Sequence, residues 1–307
     1  MDRRNLLTLA AAAPLTNAGG LNAATQKPES RFRFCLNTAT IQGQNLPLDK
    51  QIEVAHKAGY QGIEPWVRDV DKFRQSGGSL KDLAKKCHDS GLLVESAIGF
   101  PEWVVNDEGR RARSMETLKK DLEGLRDLGC KRLAAPPAGA TKSIDIPLAV
   151  AAERFGFLAK VISQFGLVPM VEVWGFSTFL NRLGDAAYIA TECSQPASIL
   201  ADIYHLYKGG SGFGSLGLFS GAAIQVFHVN DYPSSPSPAE ITDAHRVYPG
   251  DGVAPYETVI SALASHAPEC VLSLELFNRE YWKQDAFEVA RTGLEKLKKV
   301  VAKSLKL

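Results

Sequence analysis

Residues 167–174 read LVPMVEVW, an apolar run broken by one ionisable group, Glu172. A run this short, apolar and bounded by turn signals reads as a buried strand. Three later runs repeat the plan: Ser198–Leu206 (SILADIYHL), Ile224–Asp231 (IQVFHVND) and Val271–Asn278 (VLSLELFN). Asp202, His228 and Glu275 hold the matching places in them. Successive strand side chains point to opposite faces. Val171 and Val173 therefore share one face, and Glu172 and Trp174 the other. Likewise Ala201 and Ile203 flank Asp202, Phe227 and Val229 flank His228, and Leu274 and Leu276 flank Glu275. Such strands set an aliphatic face against helices and turn a polar or aromatic face toward a site.

Working outward, four earlier runs also read as strands: Phe32–Thr40, Gly62–Val67, Leu92–Phe100 and Arg132–Pro136. Amphipathic stretches alternate with them, at Leu48–Ala58, Leu80–Ser90, Arg110–Leu128, Pro147–Phe165, Asp185–Cys193, Tyr256–His266 and Gln284–Lys303. The glycine-rich stretch after Asp202 predicts a short helix there. Eight strand–helix units over residues 31–307 predict an α/β fold, a single-domain (β/α)₈ TIM barrel. An open doubly wound sheet is the alternative, but it wants a glycine-rich phosphate fingerprint after its first strand. The stretch CLNTATIQGQN does not supply one.

The chain has 307 residues, 45% hydrophobic and 22% charged, enough for a large core. A formal net charge of +1 without a long basic run points to neither nucleic acid nor membrane as partner. Five scattered cysteines contain no CxxC pair and read as structural thiols. Residues 1–30 read differently. Arg3 and Arg4 precede a mildly apolar stretch and small residues near Ala24, the pattern of a twin-arginine signal peptide and linker. It predicts folded export to a periplasmic or extracytoplasmic location.

Charged residues stay in buried runs only when paired or metal-bound. Glu172, Asp202, His228 and Glu275 together suit one divalent metal ion such as Mn, Mg, Co or Zn. Glu64 and Glu95 also end strand candidates and read as substrate or supporting groups. His205 falls where its strand turns outward, placed to hydrogen-bond a substrate hydroxyl. Arg246 is a fixed-charge donor for ligand oxygens or a phosphate. Trp66 and Trp174 supply aromatic faces for a pocket wall.

The elements GIEPW (62–66), EVW (172–174), DIYH (202–205), HVND (228–231), HRVYPGDG (245–252) and LELF (274–277) resemble the xylose isomerase-like TIM barrel superfamily. Within it they are similar to the sugar phosphate isomerase/epimerase branch, which holds hydroxypyruvate isomerase, inosose isomerase and ketose 3-epimerases. The resemblance implies one divalent metal on Glu172, Asp202, His228 and Glu275, with Glu172 and Glu275 also catalytic as acid and base. It implies a small-molecule carbohydrate substrate and leaves a homo-oligomer open. Thr178 stands where ketose 3-epimerases carry a second glutamate, and Ser234 where they carry an arginine, a role Arg246 can take. The expected activity is isomerisation or epimerisation of a sugar or keto-polyol, by proton transfer through a metal-stabilised enediolate. A lyase or dehydratase acting on a keto sugar or inosose, and a non-catalytic sugar-binding barrel, are the alternatives.

Overall fold

All eight apolar runs form parallel strands in the computed structural model, which describes residues 32–142 and 145–307. The expected signal peptide lies outside the described residues. The strands are β1 (Arg33–Asn37), β2 (Gly62–Glu64), β3 (Leu93–Val94), β4 (Ala97–Ile98), β5 (Arg132–Ala135), β6 (Val168–Glu172), β7 (Ser198–Asp202), β8 (Val226–Val229) and β9 (Val271–Leu274). The sheet runs in the order β3-β2-β1-β9-β8-β7-β6-β5-β4. Its two ends, β3 and β4, belong to one run of chain interrupted at Glu95 and Ser96. The sheet thus curls round to meet itself, and the fold is a single-domain TIM barrel.

Helices α1 (Leu48–Ala58), α2 (Val67–Gln75), α3 (Leu80–Asp89), α4 (Glu108–Asp127), α5 (Leu148–Gln164), α6 (Leu183–Glu192), α7 (Ile203–Gly209), α8 (Tyr256–His266) and α9 (Ala286–Leu305) wrap the barrel. Local chemistry sets their ends. Asp107 caps α4 by accepting the Arg110 N–H at 2.8 Å, and Gly59 closes α1 at φ 90°, a left-handed turn that favours glycine. Two helices depart from expectation. α2 follows β2 directly, and α7 begins at Ile203, inside the stretch read as strand to Leu206. Asp202 explains the second case: its Oδ1 accepts the His205 N–H at 2.9 Å and starts a helix there.

The alternation expected from sequence stacks two layers inside the barrel. Cys35, Met170, Leu200, Val226 and Val271 form a buried apolar layer. Two residues further along the same strands stand Asn37, Glu172, Asp202, His228 and Ser273. The apolar layer is a floor to which each Met, Leu or Val side chain contributes roughly 1.5–3 kcal/mol when fully buried. The polar layer above it faces the C-terminal end of the barrel, where this fold carries its sites.

Candidate active site

Adjacent strands bring three of the sequence-derived ligands together. Asp202 ends β7 and pairs in register with His228 of β8. Glu275 follows β9 immediately, and its N–H donates to the Val229 carbonyl at 3.2 Å. One ligating atom each from Asp202, His228 and Glu275 lie within 4.8 Å of one another, all three residues buried. The Nδ1 of His228 is 3.1 Å from Glu275 Oε2 and 3.6 Å from Asp202 Oδ2. Glu172, at the end of β6, is outside that 4.8 Å set.

The other nitrogen fixes the ring. His228 Nε2 donates to Glu64 Oε2 at 2.8 Å, which turns Nδ1 toward Asp202 and Glu275, where it is buried without a hydrogen bond. Glu64 also accepts from Asn37 Nδ2 at 2.9 Å, Ser273 Oγ at 2.7 Å and Ser96 Oγ. Burial alone would raise the Glu64 pKa, but His228 and the two hydroxyls outweigh it and hold it at about 2. Burial also disfavours a charged His228, yet Glu275 and Glu64 prevail and raise its pKa well above the ordinary histidine value. The cluster attracts positive charge at Nδ1. A divalent cation bound by Nδ1 and the two carboxylates satisfies that demand. The donor set of this chain therefore fits such an ion.

Glu172 differs from the other carboxylates. Its Oε1 accepts from Trp174 Nε1 at 3.0 Å, while Oε2 is buried with no hydrogen-bond partner. Burial, followed by repulsion from Glu275, outweighs His228 and pushes its pKa up to about 8. Asp202 moves the other way. Burial would raise its pKa, but Arg246 and His205 drive it below the usual carboxylate range.

Arg246 closes the site from the loop after β8. It is 1% exposed, and its Nη1 donates to Asp202 Oδ2 and Glu275 Oε2, each at 2.9 Å. Nη2 donates to Asp243 Oδ1 at 2.6 Å and faces His205 Nε2 at 3.2 Å. His205 is buried too, and its Nδ1 accepts the Gly175 N–H at 3.2 Å. Gly175 must be glycine for this approach, because a Cβ there would meet the His205 carbonyl oxygen at 2.4 Å. Burial lowers the His205 pKa below the ordinary histidine value. Trp66 and Trp174 stand at the mouth as part of an aromatic wall, each 5.0 and 6.0 Å from the ring of Phe100.

Two expected substrate contacts are placed elsewhere. Glu64 is fully buried, with its oxygens committed to His228, Asn37, Ser96 and Ser273. It supports His228 and offers no free oxygen to a ligand. Glu95 lies at the opposite end of the barrel. It pairs with Arg33 at 2.8 Å, Arg132 at 3.0 Å and Lys131 at 3.2 Å, all at strand starts. Gly62 makes its room, since a Cβ there would fall 2.7 Å from Glu95 Cγ. Sequence reading also passed over functional partners. Asn230 donates to Asp202 Oδ2 at 3.0 Å, and Asn37 accepts from Trp66 Nε1 at 3.1 Å while donating to Glu64. The available signal was phase: Asn230 is two residues from His228, and Asn37 two from Cys35 of the barrel floor.

Known proteins share this barrel fold. The model of the xylose isomerase-like TIM barrel matches residues 52–300. The chain is 29% identical over 281 residues to an inosose isomerase of Bacillus velezensis, covering 89% of this chain and 98% of that one. It is 28% identical to the Bacillus licheniformis inosose isomerase, covering 90% and 100%. The crystal structure of an IolI protein with a bound zinc atom superposes with a TM-score of 0.82 at 24% identity, covering 90% of this chain and all of that one. The protein belongs to the xylose isomerase-like TIM barrel family.

Proposed function

We propose that this protein is a divalent-metal-dependent isomerase or epimerase of a sugar or keto-polyol, with Glu172 as the proton-transfer group. The observation that carries the reading is the unpartnered, buried Oε2 of Glu172 beside the Asp202–His228–Glu275 set. The inosose isomerases among its relatives support a cyclic polyol ketone as substrate. A divalent ion on those three ligands would polarise a carbonyl and stabilise negative charge developing beside it.

The chain's own groups do the rest. Trp174 holds one oxygen of Glu172, which aims the other at a substrate C–H. A divalent charge on the neighbouring ligands would lower the raised Glu172 pKa and ionise the group, and that oxygen would then accept the proton next to the carbonyl. Glu275 is the second carboxylate, and returning a proton to the neighbouring carbon or to the opposite face separates isomerisation from epimerisation. His205 and Arg246 hold Asp202 and Glu275 in place. The buried layer of Met170, Leu200 and Val226 keeps water out from below.

Turnover of an inosose in heavy water tests this. Deuterium should enter a carbon-bound position of the product. Glu172→Gln should slow turnover at least ~10²-fold at unchanged metal content, the usual lower scale for losing a general acid–base. Turnover without any deuterium incorporation overturns the proton-transfer reading. A product lighter by water would instead assign the same proton abstraction to elimination.

A further inference from the structure

The aromatic wall does not stop at the site. Phe100 packs on Trp66 and Trp174, and Trp174 packs on Phe176 at 4.9 Å. The two tryptophans are tied inward, to Asn37 and to Glu172. Phe100 is tied to nothing polar and is 41% exposed, a large apolar ring half in water. Its outer face opens on a groove of about 680 Å³ between α2 and α4. That volume lies within the roughly 300–1,000 Å³ of small-molecule sites.

The groove's walls are polar. Arg68, Arg110 and Arg113 face Asp71, Glu102 and Asp121, three guanidinium groups against three carboxyl groups. Several are paired already: Arg110 Nε donates to Glu102 at 3.0 Å, and Asp71 accepts from Arg74 at 2.6 Å. An aromatic platform beside fixed planar donors and acceptors suits a ring rich in hydroxyls. Inside the site, the Arg246 guanidinium is likewise committed to Asp202, Glu275 and Asp243.

We propose that this groove is a second sugar subsite, continuous with the active site through Phe100. The preferred substrate is then a glycoside: one ring presents its carbonyl at Glu172, and a second hexose unit lies on Phe100 between α2 and α4. The proposal rests on the reading of the site as a carbohydrate site and extends it to substrate size.

The test compares fructose with maltulose, turanose and lactulose, ketose disaccharides that each add one hexose to fructose. Binding to the zinc-loaded protein is followed by tryptophan fluorescence and by saturation-transfer NMR. At least one disaccharide should bind tenfold or more tighter than fructose, with saturation transfer to both rings. Thr117→Trp, which fills the groove from the exposed face of α4, and Arg113→Ala should each erase that advantage. Both should leave fructose affinity unchanged. Equal affinity for fructose and all three disaccharides, or an advantage that survives Thr117→Trp, overturns the groove and leaves the carbohydrate site standing. No binding of any of the four sugars overturns the groove; if an inosose also fails to bind the zinc-loaded protein, the carbohydrate reading falls with it.

Discussion

His228 and Glu64 are 164 residues apart in the chain and meet in a 2.8 Å hydrogen bond with both side chains fully buried. That bond decides which imidazole nitrogen faces the cluster. It also supplies the negative charge that makes the ring a stronger donor. Glu64→Gln keeps the size and loses the charge. Zinc affinity should fall about 10–100-fold, the scale seen when such supporting carboxylates are removed. Titration calorimetry of the metal-free protein reads this directly. An unchanged affinity would show that Glu64 merely fills space.

Arg246 is the counter-ion of the cluster, in contact with Asp202, Glu275 and Asp243. Arg246→Met keeps much of the side-chain bulk and leaves buried carboxylates unpaired. Removing one partner of a buried pair costs about 3–5 kcal/mol. Urea unfolding of the metal-free variant should show a loss of that order. Saturating zinc should narrow the gap to wild type, because the ion restores positive charge at the same oxygens. An equal gap with and without zinc would mean that the two cations do not act on the same groups.

Asp121 of α4 faces Asp71 and Arg74 of α2. Burial first, then repulsion from Asp71, overcomes Arg74 and pushes its pKa up from 3.8 to about 7. A carboxyl group raised in the folded state contributes stability that is complete below the unfolded pKa. That stability is lost as pH rises through the folded value. The window is therefore pH 4 to about 7. Asp121→Asn cannot ionise and loses nothing across it. Its melting temperature should match wild type near pH 4 and exceed it at pH 8. Parallel melting curves at every pH would remove Asp121 from the acid–base balance of the fold.

Arg3 and Arg4 lie outside the described residues, and we propose that they direct folded export. Arg3→Lys combined with Arg4→Lys should leave the precursor in the cytoplasm, which fractionation and immunoblotting would detect. Normal export of the double variant would refute the twin-arginine reading.

The barrel was legible because its signal is local. Short apolar runs separated by amphipathic stretches repeat along the whole chain, and alternation within a strand fixes which residues point inward. That is how Glu172, Asp202, His228 and Glu275 could be assigned to one face without any structure. The helix after Asp202 was less legible, since SILADIYHL is apolar throughout and only the capping bond to the His205 N–H ends the strand.

Sequence by itself determined the fold class, the inward phase of the site strands and the residue types available to a cation. Tertiary structure alone decided what each residue meets. Glu64 ends β2 and Glu95 lies in the break between β3 and β4, yet one supports His228 and the other plugs the far mouth against Arg33 and Arg132. Phase has a period of two residues and says nothing about height along the barrel axis. It says nothing either about which strand lies across the interior. Those are set by how the sheet closes, and closure brings together residues far apart in the chain.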